Sequence, residues 1–175
     1  SGWRSDAEVT FNQDGFQILD VSDPSVPSFL GGFNIGDGST RVLAISSDDS
    51  KAYVYNILGD IHILDISTPN SISSLGSYTV GFNTVGAISL SSDEQTMYVS
   101  ASDNGFIILN ISNPNSISVI GSYDTTTNCT SNGTPIFSGN CATALSTVSS
   151  DGSTAFVPAL YGGVKFIDIS TPSTP

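Results

Sequence analysis

One phrase is written four times in this chain: "GFQILDVSDP" from Gly15, "DIHILDISTP" from Asp60, "GFIILNISNP" from Gly105 and "GVKFIDISTP" from Gly163. The residue that opens each D-[IV]-S-x-P turn falls at Asp20, Asp65, Asn110 and Asp168, so the spacings are 45, 45 and 58. A second landmark, "LGGF" ending at Phe33, "LGSY" at Tyr78 and "IGSY" at Tyr123, lies 13 residues after its turn residue each time. A third is a Ser-Asp turn, "SSDDS" from Ser46, "SSDEQ" from Ser91 and "SSDGS" from Ser149. Three landmarks kept in step make the chain a series of copies of one unit, and such units bury their apolar faces by stacking on one another.

A period of about 40–50 residues suits a four-stranded propeller blade. In the second unit the strands read "RVLAIS" (Arg41–Ser46), "KAYVYN" (Lys51–Asn56), "IHILDI" (Ile61–Ile66) and "ISSLGSY" (Ile72–Tyr78). In the third they read "VGAISL", "TMYVSA", "FIILNI" and "ISVIGSY". The Ser-Asp turn joins the first two strands, and "LGD" or "DNG" joins the next pair, as short hairpin loops do. Runs such as "FIILNI" are apolar on successive residues, which fits a sheet covered on both faces. No stretch carries a 3.6-residue period, so almost no helix is expected. The expected fold is an all-β, single-domain β-propeller over residues 1–175, built from four repeats of roughly 45 residues. The units run approximately 4–33, 34–78, 79–123 and 124–175, with an inserted loop at 124–142 and with the first and last blades incomplete.

The side chain that opens each turn can accept hydrogen bonds from main-chain N–H groups just ahead of it. The following Pro lacks an N–H for the ladder and ends the strand. Asn110 stands where the other units have Asp, and an amide accepts the same bond without being able to act as an acid or base. Asp20, Asp65, Asn110 and Asp168 are therefore read as structural turn residues. "ILDVSDPSVP", "ILDISTP" and "FIDISTPSTP", each with its G-[SG]-[YF] strand end, resemble the LVIVD-repeat β-propellers over about Phe11 to Pro172. The resemblance implies a secreted or cell-surface repeat protein of propeller architecture. It implies no established activity and supplies no catalytic residues.

Charge narrows the partners. The chain has net charge −12, and its only cations are Arg4, Arg41, Lys51 and Lys165. Nucleic acid and anionic membrane surfaces are bound by clustered Lys and Arg, so neither is expected. No apolar run is long enough to span a membrane, and no signal peptide opens the chain, which is read as a portion of something longer. Cys129 and Cys141 frame a polar loop and are expected to bond to each other; metal would need further ligands, and His62 is the only histidine. Such a disulfide would contribute about 3 kcal/mol, mostly by restricting the unfolded chain, and would persist in an oxidising compartment. "NCT" at Asn128 and "NGT" at Asn132 are N-glycosylation acceptor patterns. Together these features point to an extracellular or cell-surface location.

Catalytic constellations are sparse. A Ser-His-Asp site would have to use His62, which sits inside the strand-like "DIHILD". The carboxylate pairs Asp48 with Asp49 and Asp93 with Glu94 both fall in the recurring hairpin turn, where solvated loop is the plainer reading. Trp3, Tyr53, Tyr55, Tyr78, Tyr98, Tyr123 and Tyr161 are candidates for a glycan-stacking surface, although Tyr78 and Tyr123 sit at a repeat position that marks packing. No cofactor, no metal and no enzymatic activity are expected. The ends matter more. Trp3 looks like the end of an outer strand whose beginning would follow Pro175, so the ring either closes on itself or takes its missing edge from a neighbouring subunit or further chain. An unpaired strand edge is an association site. The expected partners are copies of the chain itself, assembled as a filament or surface layer, with binding to another surface protein or a glycan as the alternative, and a fragment of a secreted propeller enzyme, such as a lyase or hydrolase whose site needs residues from missing blades, as a minor alternative.

Overall fold

The computed structural model describes residues 15–36, 40–56, 58–81, 85–101, 104–125, 130–131, 134–135, 146–159 and 163–175. Cys129, Cys141, Asn128, Asn132, Trp3 and Tyr161, on which the expected disulfide, glycosylation and N-terminal strand end depend, lie outside the described residues.

The strands follow one another in the order the repeat dictates. Sheet one pairs β1 (Gly15–Asp20) with β2 (Ser28–Asn34). Sheet two is the antiparallel meander β3 (Thr40–Ile45), β4 (Lys51–Asn56), β5 (Asp60–Asp65) and β6 (Ser73–Thr79). Sheet three repeats it as β7 (Ala87–Leu90), β8 (Thr96–Ser100), β9 (Phe106–Asn110) and β10 (Ser118–Tyr123). Within the inserted loop, the two-residue strands β11 (Thr130–Ser131) and β12 (Thr134–Pro135) form a ladder that the polar composition of this segment did not foreshadow. Sheet four contains β13 (Thr147–Val148), β14 (Thr154–Ala159) and β15 (Gly163–Asp168). Among the described residues the only helical pieces are two single 3-10 turns, Pro69–Ser71 and Pro114–Ser116, each placed just before an outer strand. There the Pro of the repeated turn occupies the first helical position, where its missing N–H costs nothing.

Each sheet is apolar on both faces because each face meets a different neighbour. Phe16 and Ile35 pack against Ala52, Val54 and Leu64 between sheets one and two. Tyr53, Tyr55, Ile61 and Ile63 of sheet two meet Met97, Val99 and Leu109 of sheet three. Tyr98, Phe106 and Ile108 of sheet three meet Ala155, Val157 and Ile167 of sheet four. Tyr98 and Phe106 stack with ring centroids 6.2 Å apart. Burying one Leu or Ile side chain in this way contributes about 1.5–3 kcal/mol. The core is therefore a series of layers between consecutive sheets, not one central cluster.

Candidate interaction surface

The repeated turns are built from short polar side chains. The amides of Ser22, Ser67, Ser112 and Ser170 donate to the side-chain oxygens of Asp20, Asp65, Asn110 and Asp168 at 2.9–3.0 Å. In the last three the same Ser adds its hydroxyl to the same oxygen at 2.6–2.7 Å. These Ser22, Ser67 and Ser170 bonds hold Asp20, Asp65 and Asp168 below the usual carboxylate range. Asn110 makes the same two bonds without charge, so the turn requires an acceptor and not an acid.

The Ser-Asp turns are equally regular. Ser46, Ser91 and Ser149 each accept an amide five residues ahead, from Lys51, Thr96 and Thr154, at 2.8–3.0 Å. Each donates its hydroxyl to the Asp two residues on, at 2.6–2.7 Å. The next residue takes the left-handed conformation, at φ 57° for Asp49 and 56° for Glu94, and at 72° for Gly152. The same residue donates its amide to the carbonyl of Ser46, Ser91 or Ser149 at 2.9–3.0 Å, so each loop is a β-turn closed by a left-handed residue. Both candidate carboxylate pairs thus serve the loop. Asp48 and Asp93 are spent on turn hydrogen bonds, and Glu94 accepts from the Ser47 amide of the neighbouring sheet at 2.6 Å.

Alternate hairpins of a meander open at the same end, so these two families of turns share one end of the sheets, and that end is acidic. Here the sheets lock together. A β-bulge puts Leu30, Leu75 and Ile120 out of register in the outer strands. The glycine that follows, Gly31, Gly76 or Gly121, lies against the carbonyl of Pro69, Pro114 or Pro172 in the next sheet, and a Cβ at any of the three would overlap that oxygen. The "LG" and "IG" pairs are the sequence signal of this junction. Their 45-residue recurrence is visible in the chain, but the oxygen they accommodate comes from another unit.

Two cavities open between sheets. One of about 270 Å³ lies between sheets two and three, walled by Lys51, Tyr53, Asp93, Glu94 and Pro114. The other, about 370 Å³, lies between sheets three and four and is walled by serine and threonine residues, Ser89, Ser91, Thr147 and Ser149 among them, together with apolar Leu90 and Val148. Ser89 Oγ is buried with no hydrogen-bond partner among the described residues. Tyr53, Tyr55 and Tyr98 are buried and present no open ring face, which removes them as glycan-stacking candidates. His62 is half-buried on β5, its Nε2 without a partner, and burial lowers its pKa. Among the described residues no group of three or more His, Cys, Asp or Glu is placed to hold a metal ion. No helix among the described residues is long and apolar enough to cross a membrane.

Exposed apolar side chains concentrate at the two ends of the sheet series. Leu19 and Val21 are open on sheet one, and Val164 and Phe166 on sheet four. β15 is paired with β14 alone, and its other edge carries no strand among the described residues.

Known structures share this architecture. A putative 6-phosphogluconolactonase from Bacteroides fragilis superposes with a TM-score of 0.62 at 16% identity, over 92% of this chain and 51% of that one. The periplasmic gluconolactonase of Pseudomonas aeruginosa gives 0.63 at 16%, over 89% and 47%. The C-terminal WD40 domain of Sif2 gives 0.62 at 14%, over 81% and 37%. At these identities the likeness is one of fold: an all-β, propeller-like arrangement of antiparallel sheets. The chain spans about half the length of the gluconolactonase structures. None of the curated proteins compared matches the sequence. The LVIVD repeat matches residues 7–35, 37–80 and 87–125, more than half of the chain. The chain belongs to the LVIVD-repeat family.

Proposed function

We propose that this chain is a non-enzymatic extracellular structural subunit, a series of four propeller blades that self-associates into a filament or surface assembly. The observation that carries the reading is the end of sheet four. β15 offers a strand edge with no partner strand among the described residues, and beside it Phe166 is 73% exposed. An unpaired edge next to an apolar face is an association site. The Cys129 and Cys141 pair and the acceptor patterns at Asn128 and Asn132 support the extracellular part. Sedimentation velocity over a concentration series, with electron microscopy of the same samples, tests it. Growth in mass with concentration is expected; a single monomeric species throughout rejects self-association.

A second reading is binding of a glycan through the mixed polar and apolar cavity between sheets three and four, favoured by Ser89 in its wall, whose Oγ has no partner among the described residues. Binding on a glycan array that is weakened in Ser89→Val supports it, and a blank array at high protein concentration rejects it.

A further inference from the structure

In a chain of repeated units, side chains that the fold needs recur, and those that depart from the repeat at one place need another reason. The junction between sheets two and three can be set beside the one between sheets three and four. Their floors are alike: Tyr53, Ile63, Ile111 and Pro114 in the first correspond to Tyr98, Ile108, Ile169 and Pro172 in the second. Their rims differ at three positions. Lys51, Glu94 and Gln95 stand where the second junction has Thr96, Gly152 and Ser153. All three line the cavity of about 270 Å³ between sheets two and three, so three long polar side chains gather around one space where the next unit has short ones.

The two walls differ in kind. On sheet two, Lys51 and Tyr53 stand two apart on β4 and share a face. Among the described residues no ion pair holds Lys51, and the Tyr53 hydroxyl has no hydrogen-bond partner although the residue is only 2% exposed. Burial first, and then the charges of Glu94 and Asp48, raise the pKa of that hydroxyl, so it stays a neutral donor. A hydroxyl so deeply placed is costly to leave unpaired, and a polar ligand group would satisfy it. On sheet three, Glu94 keeps the left-handed backbone that favours glycine, the residue sheet four uses there. Its Oε1 accepts the Ser47 amide of sheet two at 2.6 Å, which fixes the carboxylate across the gap and leaves Oε2 for a second partner. Asp93 adds a further negative charge on the same wall. One wall therefore offers a cation and a donor, the other carboxylates.

We infer that this cavity binds a free aliphatic α-amino acid as its zwitterion, with Lys51 and the Tyr53 hydroxyl on the ligand carboxylate, Glu94 on its ammonium, and Ile63, Ile111 and Pro114 against its side chain. The class of ligand follows from the walls. A simple anion would meet Glu94 and Asp93, a simple cation would meet Lys51, and a neutral sugar would leave both charges without a counter-charge. A molecule carrying both charges a short distance apart matches both walls. A metal ion does not suit the space, since among the described residues no group of three or more His, Cys, Asp or Glu is placed to hold one. The volume, at the lower end of ligand cavities, fits a molecule of this size.

The site stands apart from the self-association reading and is tested separately. Leucine is the probe, titrated by calorimetry, with leucine amide and isocaproate as ligands that keep only the ammonium or only the carboxylate. Leucine is expected to bind at millimolar concentration or below, and each half-ligand at least about tenfold more weakly. Two variants probe the walls, with circular dichroism to establish that each keeps the wild-type fold. Lys51→Thr installs the residue of the next unit; Glu94→Gln keeps an acceptor for the Ser47 amide and removes the charge. Each is expected to weaken leucine at least about tenfold. Either half-ligand binding as tightly as leucine overturns the zwitterion. Leucine binding unchanged in either variant overturns the site. If leucine, valine and alanine all fail to bind at millimolar concentration, the inference falls and the self-association reading is untouched.

Discussion

At the scale of single residues, the turn at Asp65 asks for an acceptor of two hydrogen bonds and is indifferent to charge, since Asn110 does the same work one unit later. Asp65→Asn is therefore expected to leave the melting temperature nearly unchanged, while Asp65→Ala lowers it by a few degrees, both read by thermal denaturation. Gly76 has a different obligation. A Cβ there overlaps the Pro114 carbonyl, which is backbone and cannot swing aside. Gly76→Ala should cost about 1–3 kcal/mol in urea unfolding, and Ser77→Ala, one position along, should cost little. If the two variants unfold alike, the junction does not depend on that glycine. The turn residue was legible in the chain because its partners lie two residues away. The glycine's reason was not, because its neighbour in space is 38 residues distant in sequence.

At the scale of the strand and its sheet, titration has two opposite consequences. Hydrogen bonds from Ser149 and Ser153 draw Asp151 down to about 2, and Ser46 and Ser50 draw Asp48 lower still. A carboxylate whose pKa falls on folding adds stability that is present above its unfolded value of 3.8 and is lost as pH drops through the folded value. The fold is thus expected to soften between about pH 4 and pH 2, modestly, since these groups are fully solvated. His62 also loses stability toward acid, by another route. Burial lowers its pKa beneath 6.5, so the native state binds fewer protons than the unfolded chain, and stability declines as pH falls through and below that value. Asp60 is the charged neighbour that opposes this shift. Unfolding free energies measured from pH 7.5 to 5 should slope downward in the wild type and flatten in His62→Gln; an unchanged slope in the variant rejects the assignment. Strand order and hairpin turns were readable from the period, and β4 spans the residues "KAYVYN" without adjustment. The bulges at Leu30, Leu75 and Ile120 were not readable, because a bulge is defined by the partner strand it slips against.

At the scale of the whole molecule, equivalent positions carry unequal energies according to their place in the series. Leu109→Ala, inside a layer, is expected to cost about 2–5 kcal/mol, and Leu19→Ala, at the open end, less than about 0.5 kcal/mol when measured on dilute chain. What the amino-acid sequence determined alone is everything that repeats or is local: the period, the all-β character, the order of strands and the chemistry of the turns, since each depends on residues a few positions apart. What only the tertiary structure decided is which apolar face is covered. Ile63 and Phe166 occupy one position of the repeat and read alike in the sequence, yet one is 1% exposed and the other 73%. Among the described residues a following sheet covers Ile63 and none covers Phe166, a non-local fact that no side chain encodes about itself.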